Sequence, residues 1–125
     1  MSDKILVVED NEQNRILMRQ ILAHNGYEVL EAEDGLTGLE MARAHMPALI
    51  LLDIQMPVMN GFAVIHELRN DPALMNIKAI AVTSFAMKGD RERALLAGFD
   101  EYVTKPIDTR KFPSLVRDIL LREKP

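Results

Sequence analysis

Short apolar runs alternate along this chain with longer stretches whose apolar residues recur at helical spacing. Ile5-Leu6-Val7-Val8 is continuous and apolar, the pattern of a strand buried on both faces. From Glu12 to Asn25, Leu17 pairs with Ile21 and Met18 with Leu22, which predicts a helix that Gly26 can end. Tyr27 to Ala32 alternates apolar and acidic residues and predicts a strand nearer an edge. Asp34 can cap a helix running to about His45, where Pro47 stops it. Ala48-Leu49-Ile50-Leu51-Leu52 is the most apolar run and leads straight into Asp53. A loop rich in Met, Pro, Asn and Gly follows, then a helix from Gly61 to Asn70, broken by Asp71-Pro72. Ala79-Ile80-Ala81-Val82 is another buried strand, Asp90 to Ala97 a short helix closed by Gly98, and Asp100 to Thr104 the last strand. A final helix covers Pro113 to Arg122.

The order is βαβαβαβαβα, which implies an α/β fold: a parallel sheet with helices on both faces. Right-handed crossovers leave few topologies, and the flavodoxin-like strand order 2-1-3-4-5 is expected. In that order the winding reverses between strands 1 and 3, and ligands bind at their carboxyl ends. The 125 residues suit one domain spanning 1–125, with no linker, repeat or room for an output domain.

Composition narrows the functional classes. No apolar run approaches the about 18 residues that span a bilayer, and the N-terminus lacks a signal-peptide pattern. With no cysteine there is no disulfide or thiolate chemistry, and a cytoplasmic location is expected. A net charge of −4, basic residues spread along the chain, and only 5% aromatics argue against nucleic acid as a partner. His24, His45 and His66 have no ligand spacing, and the eight Met read as fillers of core and loop.

The chemistry gathers at the strand ends. Glu9 and Asp10 follow strand 1 and Asp53 follows strand 3, so the expected topology brings three carboxylates to one edge. Three anions in one crevice repel, and a bound cation relieves this. Hard oxygen ligands in a small site suit Mg²⁺, which keeps waters and takes phosphate oxygens. Thr83 closes strand 4 and Lys105 follows strand 5 on the same side. A hydroxyl and an ammonium facing an acidic crevice suit a phosphoryl group. Pro106 after Lys105 marks a specific turn at which a cis bond is open.

Together Val7-Val8-Glu9-Asp10-Asn11, Leu51-Leu52-Asp53-Ile54-Gln55-Met56-Pro57, Asn60-Gly61, Val82-Thr83-Ser84 and Tyr102-Val103-Thr104-Lys105-Pro106 resemble the receiver domains of two-component response regulators. Thr83 to Asp90 looks particularly like the stand-alone DivK-type receivers, and similar sequence occurs in receivers attached to hybrid histidine kinases. The resemblance implies a CheY-like three-layer fold and a phosphorelay function, in cell-cycle or division control if the DivK likeness holds. It makes Asp53 the phosphoacceptor, with Thr83 and Lys105 assisting, and Glu9, Asp10, Asp53 and the Gln55 carbonyl the Mg²⁺ ligands. Thr83 and Tyr102 become the switch pair, Gln55 and Phe85 the residues over the water path, and Pro57 and Gly61 the residues shaping the loop after Asp53. Implied partners are a sensor or hybrid histidine kinase, a histidine phosphotransfer protein, and a downstream protein on the face formed by helix 4, strand 5 and helix 5. A monomer is expected. The protein would not be a turnover enzyme, although it would support its own phosphorylation and slow autodephosphorylation.

Other readings carry distinguishing marks. A haloacid-dehalogenase-type phosphatase usually has an acid two residues after its nucleophile; here that position is Gln55, which cannot shuttle a proton. A flavodoxin-like cofactor binder needs a phosphate-cradling loop after strand 1, where this chain has Glu-Asp-Asn-Glu. A purely structural module would not need Asp53. Pro113 breaks the pattern of a helix capped by Asp108: either the regular helix starts near Pro113 or its start is distorted.

Overall fold

A computed structural model describes residues 3–84 and 87–122. In chain order the elements are β1 (Lys4–Val8), α1 (Glu12–His24), β2 (Glu28–Ala32), α2 (Gly35–His45), β3 (Leu49–Asp53), α3 (Gly61–Asn70), β4 (Lys78–Thr83), α4 (Asp90–Ala97), β5 (Glu101–Thr104) and α5 (Phe112–Leu121). All strand pairs are parallel, in the order β2-β1-β3-β4-β5. The expected strand order is the observed one.

Strand periodicity divides the core in two. Ile5 and Val7 of β1, Leu49 and Leu51 of β3, and Ile80 of β4 point to one face, where Met18 and Leu22 of α1 and Phe112, Val116 and Ile119 of α5 cover them. Leu6, Val8, Ile50, Leu52, Ala79 and Ala81 point to the other face, covered by α2, α3 and α4. Side chains on a strand alternate, so a strand that is apolar at every position must have a helix layer on each side. The runs in β1, β3 and β4 satisfy this. The edge strands β2 and β5 are only half-buried over most of their length.

The helix stops and starts follow from local chemistry. Asn11, Asp34 and Asn60 cap α1, α2 and α3, each accepting from a backbone N–H three residues on. Gly26 follows α1 with φ of +89°, a left-handed conformation that glycine adopts without cost. In α1, only the Met18/Leu22 stripe of the two apolar pairs is fully buried; Ile21 is half-buried and Leu17 stays 37% exposed. The question at Pro113 is resolved by a late start. Asp108 caps a separate turn, accepting from the N–H groups of Arg110 and Lys111. The regular helix begins at Phe112, which places Pro113 in its first turn, where no N–H is required. Among the described residues, no helix is long and apolar enough to cross a membrane.

Candidate functional site

The site forms because three neighbouring strands end together. Val8 of β1 pairs with Leu52 of β3, and Asp53 pairs with Val82 of β4, one residue before Thr83. Thr83 in turn pairs with Thr104, so Lys105 enters from the adjacent strand, its N–H donating to the Thr83 carbonyl at 2.7 Å. Glu9 continues the β1 ladder, its N–H bonded to the Ala32 carbonyl at 3.1 Å.

This placement buries charge. Glu9 is 0% exposed, Asp53 4% and Thr83 0%, whereas Asp10 is exposed. Carboxylate oxygens of Glu9, Asp10 and Asp53 all lie within 4.8 Å of one another. The Lys105 ammonium sits 2.5 Å from Glu9 Oε1 and 3.2 Å from Asp53 Oδ2. Asp53 Oδ1 accepts the Gln55 backbone N–H at 2.8 Å, and Glu9 Oε2 accepts that of Asn11 at 3.2 Å. Lys105 is the ion-pair partner of the buried Glu9 Oε1, and that oxygen has no further hydrogen-bond partner among the described residues.

The electrostatics match the geometry. Burial, then the neighbouring Asp53 carboxylate, pushes the Glu9 carboxyl up to about 7, although Lys105 and the Asn11 amide pull the other way. Burial alone would lower the Lys105 ammonium, but Glu9 and Asp53 outweigh it and hold the group above its ordinary value. A crevice with two buried carboxylates and a third at its rim, their oxygens within 4.8 Å of one another, fits a small hard dication. The oxygen-only donor set favours Mg²⁺ over softer metals.

One residue that shapes this site escaped the sequence reading. Arg15 is buried on α1, and its Nη1 donates to the Glu9 carbonyl at 2.9 Å. Its guanidinium also reaches Glu31 at 3.4 Å and Glu33 at 3.6 Å, tying α1 to β2 behind the acidic turn. An arginine six residues after Glu9 gives a sequence reader no sign of this, because the contact depends on where α1 packs. Ser84, already part of the motif that ends β4, donates its N–H to Gln55 Oε1 at 2.9 Å, linking the loops that follow β3 and β4.

The remaining expected site residues, Phe85 excepted, are also placed. Gly61 opens α3 against the loop after Asp53, where an added Cβ would stand 2.6 Å from Ile54 Cα. Tyr102 is half-buried against the α2/α3/α4 core, and its hydroxyl oxygen is buried without a hydrogen-bond partner among the described residues. Burial raises its phenol above the ordinary value, with Arg93 acting weakly in the opposite sense. The Lys105-Pro106 bond is cis. Phe85 lies outside the described residues. His24, His45 and His66 are all exposed, and the only group of metal-ligating side chains among the described residues is Glu9, Asp10 and Asp53.

A five-stranded parallel sheet with an acidic, lysine-facing cation crevice at its switch point defines a class of phosphoryl-accepting signalling domains. The chain belongs to the response regulator receiver domain family, which residues 5–117 match. It is 42% identical over 120 residues to the polar-differentiation response regulator DivK of Brucella ovis and of Brucella melitensis, covering 96% of this chain and 98% of that protein. The receiver domain of the Pseudomonas aeruginosa sensor histidine kinase PA1611, solved with a magnesium ion coordinated in its active site cleft, shares 30% identity. It superposes with a TM-score of 0.87 over 96% of this chain and 98% of that one. Chemotaxis protein CheY4 of Vibrio cholerae, at 24% identity and a TM-score of 0.89 over 95% of this chain and 99% of that one, shares the fold.

Proposed function

We propose that this chain takes a phosphoryl group from a phosphohistidine donor onto Asp53 and thereby changes its protein contacts. One observation carries the reading: Asp53 is buried beside Glu9, with the Lys105 ammonium bridging the two carboxylates. A structural module has no use for that concentration of buried charge, which costs stability unless something binds.

Transfer breaks the phosphorus–nitrogen bond of the donor and forms a phosphorus–oxygen bond to the Asp53 carboxylate, and the imidazole leaves with its electron pair. Bound Mg²⁺, held by Glu9, Asp10, Asp53 and the Gln55 carbonyl, would neutralise charge on the transferring oxygens. Lys105, paired with Glu9 and Asp53, offers a second positive charge, and Thr83 a hydroxyl at the end of β4. The protein is then a phosphorylated switch rather than a turnover enzyme. The expected partners are a sensor or hybrid histidine kinase and a histidine phosphotransfer protein.

The readout face is expected at α4, β5 and α5. Leu96 on α4 is 88% exposed and Leu95 37%, an apolar surface suited to a partner. Tyr102 on β5 lies between this face and the core, and its unsatisfied hydroxyl gains hydrogen bonds if the ring turns outward. The likeness to DivK favours a role in division control.

The test is labelling by a small phosphoramidate in Mg²⁺, followed by intact mass. Wild type should gain one phosphoryl group, Asp53→Asn none, and chelator should suppress the reaction. Undiminished labelling of Asp53→Asn would remove Asp53 from the mechanism.

A further inference from the structure

Gln55 makes two contacts that join opposite walls of the crevice. Its backbone N–H holds Asp53 Oδ1 at 2.8 Å. Its side-chain oxygen reaches across to the loop after β4 and accepts the Ser84 N–H at 2.9 Å. Ser84 directly follows Thr83, so this amide is the first backbone donor beyond the strand end that faces Asp53. In the resting protein, therefore, a neutral carboxamide occupies a donor at the rim of the phosphoryl site.

A phosphoryl group on Asp53 would bring up to two negative charges and three acceptor oxygens to this rim. Hydrogen bonds to an ionised acceptor are about twice as strong as those between neutral groups. Gln55 is exposed, so its released side chain can turn into water at little cost. We propose that the Gln55 carboxamide is a latch: it holds the Ser84 N–H at rest and surrenders it to the phosphoryl group. The residue thus helps to set how readily the loop after β4 enters its phosphorylated arrangement. The proposal rests on Asp53 being the phosphoacceptor.

The test uses the full chain, ¹⁵N-labelled, with beryllofluoride plus Mg²⁺ as the phosphoryl mimic. Gln55→Met keeps the length of the side chain but removes the acceptor. Gln55→Asn keeps the amide but is one methylene too short to reach Ser84. Both should speed hydrogen exchange at the Ser84 amide without mimic present. Both should also tighten beryllofluoride binding about two- to tenfold, the range set by one neutral hydrogen bond. Unchanged Ser84 exchange together with unchanged mimic affinity would overturn the latch. So would weaker mimic binding in both variants, since Gln55 would then support the phosphorylated form. A wild type in which the mimic leaves the Asp53 surroundings unperturbed would instead overturn the phosphoacceptor reading, and the latch with it.

Discussion

Helices α3 and α4 leave the same edge of the sheet and lie on the same face, yet they are built to different standards. α3 has ten residues, an Asn60 cap that accepts the Ala63 N–H at 3.0 Å, and four buried residues, Gly61, Val64, Ile65 and Leu68. α4 has eight residues, starts at Gly89 without a side-chain cap bond, and buries only Ala94. α3 follows the strand that carries Asp53, and α4 follows the strand that carries Thr83. The difference teaches where such a protein can move. The wall behind Asp53 is fixed by packing, and the wall expected to respond is held by little apolar contact. Regions of low local stability are the natural carriers of a switch.

The largest expected effect tests the fixed side. Ile65 is 0% exposed in α3, and truncating it to Ala removes a core side chain that the surrounding helices cannot replace. A loss of about 2–5 kcal/mol is expected in urea unfolding. Leu96→Ala, on α4 and 88% exposed, should stay within about 0.5 kcal/mol of wild type. If the two variants lose similar stability, the contrast between the helices is wrong.

Backbone closeness gives the next effect. A methyl at Gly61 would meet Ile54 Cα at 2.6 Å and the Asp53 carbonyl oxygen at 3.0 Å, both on backbone that cannot swing aside. Gly61→Ala should cost about 1–3 kcal/mol by overpacking and should weaken Mg²⁺ binding as the loop after Asp53 shifts. Melting with and without Mg²⁺ measures both.

Much of this was legible in the residues, for a reason that also marks the limit. Strand identity and order follow from apolar runs of fixed length, and the strand ends then place Asp53, Thr83 and Lys105 without further information. The finer difference between Glu9 and Asp10 was not legible. Adjacent acids look alike in sequence, but Glu9 continues the ladder into the interior, while Asp10 turns out to solvent. Arg69 shows the same limit. It reads as a plain surface residue of α3, yet its guanidinium binds the carbonyls of Gly98 at 2.9 Å and Ile77 at 2.5 Å and pairs with Asp100 at 3.2 Å. Contacts made by long side chains between elements far apart in sequence depend on the packed geometry, which periodicity does not encode.

A smaller effect concerns the metal. Mg²⁺ that binds only the folded protein should stabilise it by about 2.7 kcal/mol at a hundredfold excess over its dissociation constant. Asp10→Ala removes the exposed carboxylate of the cluster and leaves the buried pair with Lys105 intact. The variant should fold normally and show a much smaller Mg²⁺-dependent rise in melting temperature. An equal rise would take Asp10 out of the ligand set.

The smallest effect returns to helix starts, through pH. Asp34 caps α2, accepting the Thr37 N–H at 2.8 Å, and that bond holds its carboxyl below the ordinary carboxylate value. A depressed carboxyl contributes stability that is fully present above its unfolded pKa of about 3.9 and is lost as pH falls through the folded value. Asp34 is solvent-exposed, so screening keeps the contribution small. Asn caps about as well as Asp but does not titrate. Asp34→Asn should therefore match wild type near neutral pH and lose slightly less stability between about pH 5 and 3, read from urea midpoints along that range. α4 begins at Gly89 with no side-chain cap bond, so Gly89→Ala tests its start by backbone alone. Gly89 sits at φ of +87° with nothing within 4 Å of an added Cβ, so any loss there comes from the left-handed conformation and not from crowding. That loss should be about 1–2 kcal/mol and independent of pH. An acid-dependent loss in Gly89→Ala, or none in the comparison of Asp34 with Asn, would mean that the two helix starts are not held in the different ways their caps indicate.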